Sequence, residues 1–345
     1  MMFMTHKDLI VWLDELTEER VLIAPSDVGK GHVRYRPVAS TGEITFDYTR
    51  PDMSAKEFLF PHTERLMRIE KHGAEVVLHD FFLEKEQVLF GVRPCDAHGL
   101  IAFDALFRDQ EPADAHYVRR REMTTLVGIS CPQMWDNCFC TSLGGAPDDP
   151  THLDIMLTAV EGGYAVQVVT DRGEALLASA EVQEVSDLTP PEVPGTELVP
   201  VVPAEEWPAC FGDEYWLRLG ERCLSCKLCT FVCPTCRCFD LRDEPVASGA
   251  NLVLYDRMRV WDACTAPNYR TIAGGHNSRP VKGQRIRNRY FCKFHYYPQD
   301  FGPLGCVGCG RCVEVCPVNI DIVEMLRAVA GMCQKQAALG AEVEP

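Results

Sequence analysis

The chain has 345 residues, 46% of them hydrophobic and 24% charged, enough to bury the cores of two or three domains. A formal net charge of −16 argues against a nucleic-acid partner, because phosphate binding needs a basic surface. No run approaches the roughly 20 consecutive apolar residues of a membrane helix, and residues 1–20 lack a signal peptide's basic start, apolar run and cleavage site, so a cytoplasmic location without direct membrane insertion is expected.

Taken along the chain, 21–24, 76–78, 88–92 and 126–129 are short apolar runs closed by turn residues, the pattern of buried strands. Residues 54–71 mix apolar and charged side chains as a surface helix does, and Ser54-x-x-Glu57 fits a capping box at its start. A second helix is expected over 97–107, a strand over 164–170 and a helix from about Gly173. Together these make residues 1–180 an α/β domain.

Between 181 and 206 the composition changes. Pro190, Pro191, Pro194, Pro200 and Pro203 alternate with Glu181, Glu184, Asp187, Glu192, Glu197, Glu205 and Glu206, with no Lys or Arg. Proline removes backbone donors and stiffens the chain, so this is read as an extended linker. A second domain then runs over 207–345.

That domain carries Cys223, Cys226, Cys229 and Cys233-Pro234, spaced C-x2-C-x2-C-x3-C-P, and repeats the spacing at Cys306, Cys309, Cys312 and Cys316-Pro317. Three closely spaced thiolates can wrap three corners of one cubane, and the fourth is carried away on the following helix. In two-cluster ferredoxins that fourth cysteine ligates the other cluster. The expected donor sets are therefore Cys223, Cys226, Cys229 and Cys316 for one [4Fe–4S] cluster, and Cys306, Cys309, Cys312 and Cys233 for a second. Zinc also favours paired C-x2-C, but has no use for three evenly spaced cysteines followed twice by C-P. Helix-like runs over 214–222 and 322–339 flank the motifs, despite the seventy-two residues between Cys233 and Cys306. The fold expected overall is α+β, an N-terminal α/β domain followed by a mainly helical two-cluster ferredoxin domain.

Eighteen cysteines in a long chain without a signal peptide point to metal ligands or redox centres, not disulfides. Cys95 and Cys131 end two strand-like runs, and Cys138-Phe-Cys140 follows in a Gly- and Pro-rich loop. Strand ends are where α/β folds place ligands, and Cys138 and Cys140 share one side of an extended segment. These four either hold a third cluster or pack as buried thiols. Cys236 and Cys238 lie just past a cluster loop, where they pack against a cubane or replace a ligand. For Cys264, Cys292 and Cys333 the buried-thiol reading is favoured. Arg279, Lys282, Arg285, Arg287, Arg289 and Lys293 form a run without an acid, either a solvated loop or a collar offsetting thiolate-ligated clusters. Gly29-Lys30-Gly31 and Gly274-Gly275 read as turns. No nucleotide-binding loop, zinc-protease spacing or acid–base constellation is present.

Six stretches fall in the order of one family: Gly-Val-Arg-Pro-Cys-Asp (91–96), Asn-Cys-Phe-Cys-Thr-Ser (137–142), Val-Cys-Pro-Thr-Cys-Arg-Cys-Phe-Asp (232–240), Trp-Asp-Ala-Cys (261–264), Ala-Gly-Gly-His-Asn (273–277) and Cys-Val-Gly-Cys-Gly-Arg-Cys (306–312). From about residue 20 to 325 the chain resembles the iron–sulfur β subunits of sulfhydrogenase-type [NiFe] hydrogenases, with the A subunit of anaerobic sulfite reductase and the iron–sulfur partner of heterodisulfide-reductase-linked flavin oxidoreductases as close relatives. The resemblance implies a relay that is not itself catalytic. It would pass electrons between an NAD(P)H-linked flavoprotein subunit and a hydrogenase, heterodisulfide reductase or sulfite reductase partner. It also implies a third [4Fe–4S] cluster at Cys95, Cys131, Cys138 and Cys140. The alternatives are a stand-alone reductase with a substrate-binding cluster, and a redox sensor, for which no helix-turn-helix segment is visible.

Overall fold

The computed structural model describes residues 1–341 apart from Asp187 and Ala250, so one acid of the linker and the last four residues lie outside the described residues. The first half contains strands β1 (Met2–Thr5), β2 (Val21–Asp27), β3 (Val33–Pro37), β4 (Thr63–His72), β5 (Glu75–Asp80), β6 (Gln87–Val92), β7 (Thr124–Ile129), β8 (Ile155–Val160), β9 (Gly163–Val168) and β10 (Gln183–Glu184). Helices α1 (His6–Glu19), α2 (Pro94–Phe103), α3 (Ala115–Glu122) and α4 (Asp171–Leu177) are interspersed. In the second half come α5 (Tyr215–Arg222), α6 (Leu228–Phe231), β11 (Phe239–Ser248), β12 (Leu252–Trp261), α7 (Lys282–Phe291), α8 (Tyr297–Phe301), α9 (Arg311–Glu314) and α10 (Ile322–Ala341).

Eight strands form one sheet in the order β10-β1-β9-β8-β7-β6-β2-β3, with β2, β6, β7 and β8 parallel at its centre. Strands β6 and β7 are buried at every residue, as apolar runs covered on both faces must be. Val88, Phe90, Val127 and Ile129 face Leu9, Trp12 and Leu13 of α1 and Leu176 of α4. Leu89, Val92 and Leu126 face Leu100 and Phe103 of α2 and Tyr117 of α3. A bulge between Phe90 and Val92 centres on Gly91, at φ +73°, where a Cβ would lie 2.5 Å from the Tyr48 hydroxyl. Tyr48 and Tyr35 both donate to the Gly91 carbonyl, at 2.6 and 3.2 Å, fixing the chain as it leaves β6 for Cys95.

Two expectations fail here. Residues 54–71 are not a helix: the Ser54 hydroxyl does accept from the Lys56 N–H, but the turn it caps runs only over Ala55–Phe58, and β4 follows. The charges read as a helix surface are cross-strand partners, Arg68 bonding Asp256 of β12 at 2.8 and 3.0 Å. Nor is the C-terminal part mainly helical. It contributes β11 and β12 to a second, four-stranded antiparallel sheet of order β11-β12-β4-β5, so the described residues form a mixed α/β structure with twelve strands in two sheets. Strand β11 shows no alternating apolar face because nearly all of it is exposed, and its ladder to β12 holds it instead. The second sheet joins strands from both halves. Arg259 of β12 is buried against Glu64 of β4 at 2.5 Å and reaches Asp114 at 2.6 Å.

The strands expected over 21–24, 76–78, 88–92 and 126–129 lie within β2, β5, β6 and β7, and the one over 164–170 runs two residues past the end of β9. The helix over 322–339 lies within α10, and the one over 214–222 starts one residue before α5. A third core gathers around Trp207, stacked on Phe294 at 5.2 Å, with Trp216, Phe291, Met325, Leu326 and Val329. The proline-rich segment is laid across the first half: Thr196 donates to the Cys138 carbonyl at 3.1 Å, and the Val199 N–H to the Ser142 hydroxyl at 2.9 Å.

Candidate metal centre

The two repeated motifs adopt one backbone shape. Ser225 and Lys227 in the first loop, and Gly308 and Gly310 in the second, occupy matching positions, and all four have positive φ, between 55° and 73°. Each loop turns directly into a short helix, α6 or α9. The difference in residue type follows from what each loop faces. Cys226 of the first loop is exposed. A Cβ on Gly308 would stand 2.6 Å from the backbone of Phe139 and Cys140, and one on Gly310 would collide with the Asn137 carbonyl. The second loop thus lies backbone to backbone on the Cys138–Cys140 loop, and the Phe139 N–H donates to the Gly308 carbonyl at 2.8 Å. Only glycine fits there.

Three cavities result. Cys223, Cys226, Cys229 and Cys316 line the first, with Ile286, Tyr290 and Ile320. Cys233, Cys306, Cys309 and Cys312 line the second, with Phe139, Val307 and Ile322. Cys95, Cys131, Cys138 and Cys140 line the third, with Arg93, Trp135 and Pro147. Cys95 follows β6 and Cys131 follows β7, at the carboxyl ends of parallel strands. The cavities form a row, because Cys312 lines both the first and the second, and Cys309 both the second and the third.

The donor set suits iron–sulfur clusters. All twelve cysteines are free thiols, and among the described residues no three His, Cys, Asp or Glu side chains converge closely enough to hold a single ion. The sulfurs ring a space instead of meeting at a point. Burial pushes Cys131 and Cys306 up to about 11 and Cys140 up to about 12. Such thiols become thiolates together only when a cation compensates them, as iron does. Cys233 differs, held well below the ordinary thiol value by a hydrogen bond from the Cys236 thiol and by Lys293, Arg289 and Lys56, against the effect of burial.

Part of the basic run is a collar around these cavities and part is not. Lys293, buried, donates to Cys233 Sγ at 3.2 Å, Thr235 Oγ1 at 3.1 Å and the Gly305 carbonyl at 2.6 Å. Arg289, buried, donates to the Cys229 carbonyl at 2.9 Å and to Cys236 Sγ at 3.5 Å. Arg285 serves the carbonyls of Thr265, Arg279 and Pro280, while Arg287 lies over the Phe211 ring at the surface.

Several contributors carried no signal in local spacing, although Arg93, Asp96 and Arg311 lie inside the family stretches 91–96 and 306–312. Arg311 pairs with Asp96, Lys56 donates to the Cys236 carbonyl at 2.8 Å, and Arg50 donates to the Cys309 carbonyl. Arg93 donates to the Ile129 and Ser130 carbonyls at 3.1 and 2.5 Å, ahead of Cys131. Each acts through chain positions tens to hundreds of residues away, which no local spacing records. Cys236, Cys238, Cys264, Cys210, Cys292 and Cys333 line none of the three cavities. Instead Cys264 hydrogen-bonds to Cys238, which lowers Cys238 to about 6. Cys210 and Cys333 donate to the carbonyls of Trp207 and Glu206.

Residues 222–320 match the family model described as a 4Fe-4S dicluster domain. The chain is 35% identical over 317 residues to sulfhydrogenase 2 subunit beta of Pyrococcus furiosus, covering 86% of this chain and 88% of the relative. No solved structure matches. No helix among the described residues is long and apolar enough to cross a membrane. The chain belongs to the sulfhydrogenase β-subunit family and is an iron–sulfur electron-transfer subunit.

Proposed function

We propose that this chain carries three [4Fe–4S] clusters in a row and relays electrons between an NAD(P)H-linked flavoprotein subunit and a hydrogenase, heterodisulfide reductase or sulfite reductase subunit, in the cytoplasm. The ligands would be Cys223, Cys226, Cys229 and Cys316, then Cys306, Cys309, Cys312 and Cys233, then Cys95, Cys131, Cys138 and Cys140. Residues 207–345 would seat the first two clusters and residues 1–180 the third. The observation that carries the reading is the sharing of Cys312 and Cys309 between successive cavities, which leaves no gap along the row.

When bound, each cluster accepts and releases single electrons. The protein's part is to hold the donors at fixed separation, exclude water with Ile286, Tyr290, Phe139 and Val307, and set buried cations against the added negative charge. The test is to express the chain anaerobically, alone and with the subunits encoded beside it. Alone, it should be reduced by dithionite but should not oxidise NAD(P)H. With its flavoprotein partner, NAD(P)H should reduce its clusters. Hydrogen uptake or sulfite reduction by the chain alone would overturn the relay and leave a stand-alone reductase.

A further inference from the structure

Each cavity is lined by a buried cation, but the three are used differently. At the first, Arg289 reaches Cys229 only through its carbonyl, and its one sulfur contact is with Cys236, outside the donor set. The sulfurs of Cys223 and Cys316 there accept from the neutral N–H groups of Ser225 and Ile320, both at 3.3 Å. At the third, Arg93 donates only to the carbonyls of Ile129, Ser130 and Tyr48. At the second, the Lys293 ammonium donates directly to Cys233 Sγ at 3.2 Å and to the Gly305 carbonyl, one residue before Cys306. The lysine is 4% exposed. Its backbone is clamped there as well: the Gly305 N–H donates to the Lys293 carbonyl at 2.8 Å, and a Cβ on Gly305 would sit 2.8 Å from the Lys293 Cα.

Reduction adds negative charge to a cluster, and much of it is felt at the sulfurs. A fixed ammonium bonded to a ligand sulfur, away from water, favours that added charge more than neutral N–H donors do. We propose that Lys293 sets the second site's potential above those of its neighbours, so that an electron entering the row comes to rest at the middle. The inference rests on the three-cluster reading, with Cys233 as a ligand of the second cluster. It makes the middle site a one-electron store between the two ends.

The test is an anaerobic redox titration of the full chain, followed by the EPR signal of the reduced clusters, for wild type, Lys293→Met and Lys293→Arg, with iron counted in each. Lys293→Met should keep its iron and move the highest-potential step to a more negative value, leaving the other steps in place. Lys293→Arg should keep that step near the wild-type position. An unmoved highest step in Lys293→Met, or the same shift in both variants, overturns the inference. Loss of iron from either variant makes Lys293 part of the cluster's seat and also overturns it. Failure of the underlying reading shows separately, as wild-type protein without iron.

Discussion

Arg311 and Asp96 form a bidentate ion pair, Nη1 to Oδ1 at 2.7 Å and Nη2 to Oδ2 at 2.8 Å, with both side chains out of contact with solvent. Asp96 follows Cys95 of the third cavity, and Arg311 lies between Cys309 and Cys312 of the second. The pair therefore fastens two cysteine loops from opposite halves of the chain. The Arg311 Nε–H also donates to the Pro51 carbonyl at 3.0 Å, which fixes the guanidinium on a third segment. Arg311→Met leaves a buried carboxylate without its partner and should cost about 3–5 kcal/mol, read as a lower urea midpoint. The double variant Arg311→Met, Asp96→Leu should recover much of that loss, since two apolar side chains replace the pair without stranding a charge.

The glycines of the second loop and their counterparts in the first should respond oppositely. Gly310→Ala places a methyl group against the Asn137 carbonyl and should lower both thermal stability and retained iron. Lys227→Gly, at the matching position of the first loop, should change stability by no more than about 1 kcal/mol, because glycine relieves the left-handed backbone while the partly exposed ion pair of Lys227 with Asp262, at 2.7 Å, is lost. Equal loss of iron in the two variants would refute the argument from loop packing.

Iron content separates the third site from the other two. Anaerobically prepared wild-type protein should carry about twelve irons with matching acid-labile sulfide, and Cys138→Ser, Cys140→Ser about eight. Eight in both would remove the third cluster. Zinc in place of iron would remove all three.

Glu57 supplies a pH dependence away from the cysteines. Burial raises its carboxyl above the ordinary value, against the pull of Arg34 and Lys56. The folded state therefore holds this proton more tightly than the unfolded state. Its contribution falls as pH rises from the ordinary carboxyl value through the raised one. Glu57→Gln should remove that fall and leave the variant more stable than wild type at neutral pH, measured as urea midpoints between pH 4 and 8. A variant less stable at neutral pH would show that the contact with Arg34, at 3.7 Å, outweighs the desolvation.

Local spacing was enough to mark the eight cysteines of the two repeated motifs, because three thiolates on one tight loop are a short-range geometric demand. Apolar runs such as 88–92 and 126–129 were equally legible, since a strand covered on both faces must be apolar throughout. Strand β11 was not, because its order comes from the ladder to β12 and its own residues face water. The helix read over 54–71 failed for a related reason. A true cap at Ser54 opens only a short turn, and the charges beyond it pair with β12, nearly two hundred residues further along.

By itself, the sequence determined that this protein carries two repeated motifs with the spacing of [4Fe–4S] cluster loops, and left the third group of cysteines open between ligands and packing. Tertiary structure decided the rest: that Cys309 and Cys312 each border two cavities, that Lys293 rather than Arg287 turns inward, and that Arg311 meets Asp96. The physical reason is range. A cluster loop is specified within a dozen residues, whereas the order of the cavities and the placement of buried charge depend on backbones meeting at Gly308 and Gly310, where a missing Cβ lets distant segments touch.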